Sequence, residues 1–343
     1  MRSHHPKPLH LICGRPMVLH VLHALEHVAP REVAVVVGHG ADAVRETVSS
    51  LAPTWARPVF AEQHERRGTG DAAAVGLAAL TGDHDGASIL VVPGDTPLLT
   101  AATLERLVRE HAATGGAATV LTSDMEDPSG YGRIIRDGAG RVVRIVEDRD
   151  ADDAERAVRE VNTGVYVVRR DLLGPALAGL DTDNAQGEYY LTDVVAALAD
   201  DPAGVSAVKV DAAETAGVND RLQLALAERE LRARINRAWL LEGVTMLDPR
   251  LALIDVTVTI GRDVTIYPGA ILQGATVIGD GCEIGPDTRL TDTVVGEGSR
   301  IANSVAEGST IGAGARVGPY AVLTPGSSVA AGAETGPFYT GSP

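Results

Sequence analysis

The stretch SILVVPGDTPLLT, Ser88 to Thr100, decides how the chain is read. Ile89 to Val92 is a short apolar run rich in β-branched residues, the pattern of a strand buried on both faces of an α/β sheet. Pro93 and Gly94 end the run and Asp95 follows, just past the C-terminal end of an expected parallel strand. Open α/β sheets bind their ligands at that position. Thr100 stands where it can cap the helical stretch Ala101 to Ala113. An isolated PGD can also be an aspartate that merely closes a turn. The reading as a metal-holding carboxylate facing a phosphorylated substrate therefore rests on what surrounds it.

Upstream, Val33 to Val37 and Val59-Phe60 are further strand candidates, with a helix over Ala41 to Leu51. Gly68-Thr69-Gly70 opens an Ala-rich helix, whose first N–H groups favour anions or acceptor groups. Lys7 lies between Pro6 and Pro8, so its backbone is held extended, a suitable mount for an ammonium aimed at a phosphate. Pro16 to Val28 has helical spacing, and His20, His23 and His27 are expected on that helix's surface. Downstream, Thr119 to Ser123 is a strand, and the glycines flanking Tyr131 in DPSGYGRII (127–135) allow a tight turn and close approach to a ligand. Val142 to Glu147 alternates as a half-buried strand does and ends on a carboxylate. Asn162-Thr163-Gly164 precedes the strand VYVV, and NAQGEYYLTD (184–193) sets Glu188 ahead of a helix over Val194 to Ala199. Val205 to Val210 is the last strand, and Gly217 to Asp220 cap a long helix, Arg221 to Leu241. Strand and helix alternate throughout, which argues a Rossmann-like α/β unit with a mainly parallel sheet.

The second half has a different period. Ile260, Ile266, Leu272, Ile278, Ile284 and Leu290 recur every six residues; Val295 and Ile301 follow after one slip, then Ile311, Val317, Leu323 and Val329 after another. Glycine directly follows at 261, 279, 285, 296, 312 and 318. Period six with tight turns is the hexapeptide pattern of a parallel β-helix. The 343 residues fit about two domains. A net charge of −16 excludes a general nucleic-acid surface, and two cysteines offer neither a disulfide framework nor a zinc site. With no signal-like or membrane-length apolar run, a cytoplasmic protein is expected.

PKPLH (6–10), GRPM (14–17), GTG (68–70), PGDTPLL (93–99), DPSGYGRI (127–134), VED (146–148), EVNTG (160–164), NAQGEYYLTD (184–193) and GVNDRLQL (217–224), followed by hexapeptide repeats, occur in order. Together they resemble the bifunctional N-acetylglucosamine-1-phosphate uridyltransferase and glucosamine-1-phosphate N-acetyltransferase family. The resemblance implies an α/β nucleotidyltransferase over 1–219, a linker helix over 220–243, a left-handed parallel β-helix of hexapeptide repeats over 244–335 and an irregular tail over 336–343. The implied reaction joins UTP and N-acetylglucosamine 1-phosphate into UDP-N-acetylglucosamine and pyrophosphate, a peptidoglycan precursor supply, in a homotrimer. By the same resemblance Lys7 contacts nucleotide phosphates, while Gln63, Gly68 and Thr69 recognise uracil. Asp95 and Asn219 ligate Mg²⁺, and together with Pro93 and Gly94 of the turn they are expected to bind substrate. Gly132, Glu147 and Asn162 line the sugar-phosphate pocket, with Glu188 a further candidate. Lys7 and Asp95 are the expected catalytic pair.

Two departures from the family pattern set further expectations. The family's glycine-rich LAAGxGTRM loop and its preceding strand lie ahead of PKxLH, and Met1 aligns with the end of that loop, so two unpaired strand edges are expected. At the other end the family's β-helix runs on to the acetyltransferase residues, and Thr324 stands where the family has a basic residue, so no acetyl transfer is expected. The alternative class is a trimeric paralogue that binds sugar nucleotide or partners without turnover.

Overall fold

The computed structural model describes residues 1–82 and 86–341. The chain divides into two compact units, one of Met1–His10 with Pro16–Gln223, the other of Leu11–Arg15 with Leu224–Pro343.

In the first unit the strands are β1 (Ala34–Val37), β2 (Val59–Glu62), β3 (Ser88–Val91), β4 (Ala118–Asp124), β5 (Arg133–Arg136), β6 (Val142–Val146), β7 (Glu160–Arg169) and β8 (Val205–Val210). The helices used below are α1 (Met17–Ala24), α2 (Ala41–Leu51), α3 (Thr69–Ala79), α4 (Ala101–Thr114), α5 (Arg170–Ala178), α6 (Asp193–Ala199) and α7 (Arg221–Leu241). Six strands form one sheet in the order β8-β4-β7-β5-β6, with β3 also paired to β7. The strands β3, β4, β5 and β8 point one way, and β7 runs antiparallel among them. The parallel pair β1–β2 forms a sheet of its own.

The strand buried on both faces is β7, not β3. Tyr166 and Val168 pack with Leu173, Leu177, Val194, Val195 and Leu198 of α5 and α6. Val165 and Val167 face Leu104 and Leu107 of α4 on the other side. By contrast Ile89 to Val92 are only half-buried, and Val36 of β1 is exposed. Among the described residues β3 and β1 each have one strand neighbour, which leaves the opposite edge of each uncovered. Asp95 accordingly follows a strand whose one partner among the described residues is antiparallel. Asn162, Thr163 and Gly164 lie inside β7 rather than ahead of it. There the register with β4 slips between Val120 and Thr122, and Gly164 takes φ +78°: a bulge that re-aims the side chains beside it. His20 is a second correction, since it is buried on α1 rather than at its surface, whereas His27 is exposed.

The second unit is a three-sided parallel β-solenoid. Its three sheets hold five, six and five short strands, and successive rungs align Ile266 with Ile284, Leu272 with Leu290, and Ile260 with Ile278. All twelve aliphatics of the six-residue pattern are buried in one core. Met246 and Ile254 are inward positions as well, stacked on Ile266 and Leu272, and Ala306 stacks between Leu290 and Leu323 where the period is shortened. The helix expected as a linker is built into this unit: Ile235 and Trp239 pack on the solenoid core, and buried Asn236 donates to the carbonyls of Pro249 (2.6 Å) and Ala252 (3.0 Å). It closes the end of a stack whose first coil would otherwise expose its core. The Cys13 N–H donates to the Glu228 carboxylate at 2.7 Å, and its carbonyl accepts from the Val256 N–H at 3.0 Å. Of the expected irregular tail, Thr340–Gly341 adds one more rung on Val322–Leu323, and residues 342 and 343 lie outside the described residues.

Candidate functional site

Past the end of β3 the chain turns at Pro93, where the Thr96 hydroxyl donates to the Pro93 carbonyl at 2.9 Å. The Val218 N–H donates to the Asp95 carbonyl, also at 2.9 Å, and so brings Asn219 alongside. Lys7 opens a short 3-10 turn, Lys7–Leu9, rather than the extended backbone expected from its flanking prolines; Pro8 fits there because the first turn needs no N–H from it. Its ammonium donates to Asp95 Oδ2 and, at 2.6 Å, to Asn219 Oδ1. Three residues from the start, middle and end of the unit thus meet. The Lys7 and Asp95 side chains keep 32% and 28% exposure, which leaves the pair open to a ligand. Gly94 is exposed and its neighbourhood is open space.

The same cluster tests whether a divalent metal fits. A carboxylate oxygen and an amide oxygen already converge on one cationic atom, so the donors for a shared cation are in place. An oxygen-only pair suits Mg²⁺, which keeps waters and substrate phosphates as its other ligands. Among the described residues no group of three or more His, Cys, Asp or Glu could hold a metal, so this site would need a substrate to complete it.

From Asp95 a series of contacts leads to Asn162, Gly132 and Glu147. A Cβ on Gly164 would lie 2.9 Å from the Pro93 ring, so the bulge in β7 and the PGD turn are fitted to each other. The Asn162 side chain is fixed at both ends: its oxygen accepts from the Gly164 N–H at 3.0 Å, and its NH₂ donates to the Tyr166 hydroxyl at 2.6 Å. The Asn162 N–H donates to the Gly132 carbonyl at 2.8 Å. A Cβ on Gly132 would sit 3.6 Å from both the Asn162 Cβ and the Glu147 carboxyl carbon. Glu147 accepts from the Thr192 hydroxyl at 3.1 Å. Burial raises the Glu147 pKa above its usual value and the acidic neighbours Asp193, Asp150 and Asp148 add to this, while the Thr192 hydrogen bond opposes it. Gly132, Glu147 and Asn162 are therefore brought together as expected.

The residues around the start of α3 continue the series. The Leu191 N–H donates to the Thr69 hydroxyl at 3.0 Å, and the Gly70 N–H to the Tyr189 carbonyl at 2.8 Å. Gly68 has φ +109°, and a Cβ there would come within 2.5 Å of that carbonyl, so only glycine fits. Glu188 lies beside Gly68, where a Cβ added to the glycine would come 2.9 Å from the Glu188 Cβ. The Gln63 NH₂ donates to the Gly68 carbonyl at 3.0 Å and to Asp71 Oδ2 at 2.7 Å. A Cβ on Gly38 would lie 3.9 Å from the Gln63 carbonyl, and one on Gly40 would meet the Pro6 ring, next to Lys7. Thr192, Tyr166 and Asp71 are functional candidates that the sequence reading did not single out. Thr192 and Asp71 stood inside or beside quoted motifs, but neither spacing nor residue type marked them.

Comparison with known proteins agrees with this architecture. The nucleotidyl transferase family model matches residues 2–239, and a bacterial transferase hexapeptide model (six repeats) matches residues 257–292. The chain is 49% identical over 327 residues to the bifunctional protein GlmU of Streptomyces avermitilis, covering 95% of this chain and 67% of that one. It is 47% identical to the protein of the same name from Streptomyces coelicolor, with the same coverage. The match to that of Caldanaerobacter subterraneus subsp. tengcongensis is 43%, over 95% of this chain and 69% of the relative. The chain thus spans about two thirds of the length of these relatives. With its α/β unit, its hexapeptide solenoid and these matches, the chain belongs to the nucleotidyl transferase family and, within it, to the group of bifunctional GlmU proteins.

Proposed function

We propose that this protein is a Mg²⁺-dependent uridylyltransferase that forms UDP-N-acetylglucosamine and pyrophosphate from UTP and N-acetylglucosamine 1-phosphate. The observation that carries the reading is the meeting of Lys7, Asp95 and Asn219 at one point of a closed contact series that also holds Gly132, Glu147 and Asn162. A cationic phosphate anchor, an oxygen donor pair and a polar pocket with glycine-lined walls are the parts this reaction needs. In it a sugar-phosphate oxygen attacks the α-phosphorus of UTP, the bond to the β-phosphate bridge breaks, and pyrophosphate leaves. The nucleophile is already an anion, so no general base is required, and catalysis is positioning plus charge neutralisation. Lys7 supplies a positive charge to the phosphates. Asn162 and Glu147, both held by second partners, orient the sugar hydroxyls. Bound by Asp95 and Asn219, Mg²⁺ would neutralise triphosphate charge and align the phosphates. The α/β unit over 1–219 would carry this chemistry, and the solenoid would join three copies in the cytoplasm. A coupled pyrophosphate-release assay tests the reading: release should need UTP, the sugar phosphate and Mg²⁺ together, and should stop with a chelator. Release that persists in excess chelator would contradict it.

A further inference from the structure

We propose that Asp71 is the positioning residue that sets base choice, by locking the Gln63 side-chain amide in one orientation. The inference rests on the reading of Gln63, Gly68 and Thr69 as the base-recognising group. A glutamine amide has a donor end and an acceptor end of nearly equal shape, and its neighbours decide which end faces a ligand. Here the NH₂ end is claimed twice, by the Gly68 carbonyl at 3.0 Å and by Asp71 Oδ2 at 2.7 Å. Asp71 is the stronger constraint, because an ionised carboxylate can only accept and a charge-assisted hydrogen bond exceeds a neutral one. A flipped amide would set Gln63 Oε1 against two acceptors. What remains for a ligand is therefore Oε1, an acceptor.

That leftover acceptor sorts the pyrimidines. Uracil offers an N3–H donor to it, whereas cytosine presents a bare N3 acceptor and would be repelled. Asp71 is also in the first turn of α3, where a negative charge favours the helix. That role would move thermal stability but would leave the uracil-to-cytosine ratio alone.

The test is equilibrium binding of UTP and CTP, with Mg²⁺, to the full chain and to Asp71→Asn and Asp71→Glu. Asparagine keeps the shape but can offer Nδ2 to a flipped Gln63 as readily as Oδ1 to the native one. The UTP-over-CTP preference should fall about tenfold in Asp71→Asn, the scale of one hydrogen bond to a charged group. It should return toward the wild-type ratio in Asp71→Glu, which restores an acceptor-only partner. Wild-type discrimination that survives Asp71→Asn within about twofold overturns the proposal while leaving the base site standing. Equal binding of UTP and CTP by the wild type, or binding of neither, overturns both. Since binding is read without turnover, a failure of the catalytic reading is seen separately.

Discussion

Gly164→Ala should damage both stability and catalysis, although residue 164 bears no functional group. Two costs follow from the structure. The residue sits at φ +78° in the β7 bulge, where an L side chain costs about 1–2 kcal/mol. The added Cβ would stand 2.9 Å from the Pro93 ring, and overpacking of this kind costs about 1–3 kcal/mol. The lower entropy of the unfolded alanine chain returns about 0.4–1 kcal/mol. The net loss is about 1–5 kcal/mol, or a fall in Tm of roughly 2–4 °C per kcal/mol for a unit of this size. Pro93 cannot yield without moving Asp95, and a shift of about 1 Å at a reacting group can cost about a hundredfold in kcat/KM. Gly115→Ala is the control, because Gly115 also has positive φ, +62°, but a Cβ there meets open space. Differential scanning fluorimetry and pyrophosphate release on both variants separate the terms. Equal Tm values in the two variants, with wild-type kcat/KM in Gly164→Ala, would refute the fitting of bulge to turn.

Asp95→Asn should lower kcat/KM by about a hundredfold or more, with the apparent Mg²⁺ requirement raised, as read by initial rates across a metal titration. The raised Glu147 pKa has a signed consequence: its contribution to stability is present below the ordinary value of 4.5 and is lost as pH rises through the folded value. Glu147→Gln does not titrate, so its Tm advantage over wild type should grow between about pH 4 and pH 7, and a pH-independent difference would contradict this. Cys13, pushed up to about 12 by burial and then by Glu228, should resist iodoacetamide in the native protein at neutral pH and react once unfolded, as counted by mass spectrometry. Ile284→Ala, in the solenoid core with no exposed area, should cost about 2–5 kcal/mol in chemical denaturation, without changing pyrophosphate release.

The solenoid was legible because its signal is one-dimensional. A coil needs an apolar residue at each inward position, so the chain repeats it; the inward positions left unread are Met246 and Ile254, ahead of the regular repeats, and Ala306, small enough to pass for a turn residue. The helices Ala41–Leu51 and Arg221–Leu241 also matched their expected bounds, since their starts and stops are marked locally. What was not legible depends on neighbours in space. The run at Ile89 to Val92 has the composition of a fully buried strand, but β3 has a single strand partner among the described residues and stays half-buried. Composition reports what a strand could bury, not what lies beside it. His20 shares a helical spacing with His27, yet one faces the core and the other solvent. In the candidate site, residue types with distinctive chemistry (Lys7, Asp95, Glu147) could be read from motifs. The residues that orient them could not: Thr192 on Glu147, Tyr166 on Asn162 and Asp71 on Gln63 are set by contacts that no local pattern announces.

The most direct test of the account is transfer of label from [α-³²P]UTP to product, with N-acetylglucosamine 1-phosphate and Mg²⁺. It would be run on the 343-residue chain and on its Asp95→Asn variant. Labelled UDP-N-acetylglucosamine is expected, formed together with unlabelled pyrophosphate and lost in Asp95→Asn. Folded protein that binds UTP but transfers no label would contradict the central claim.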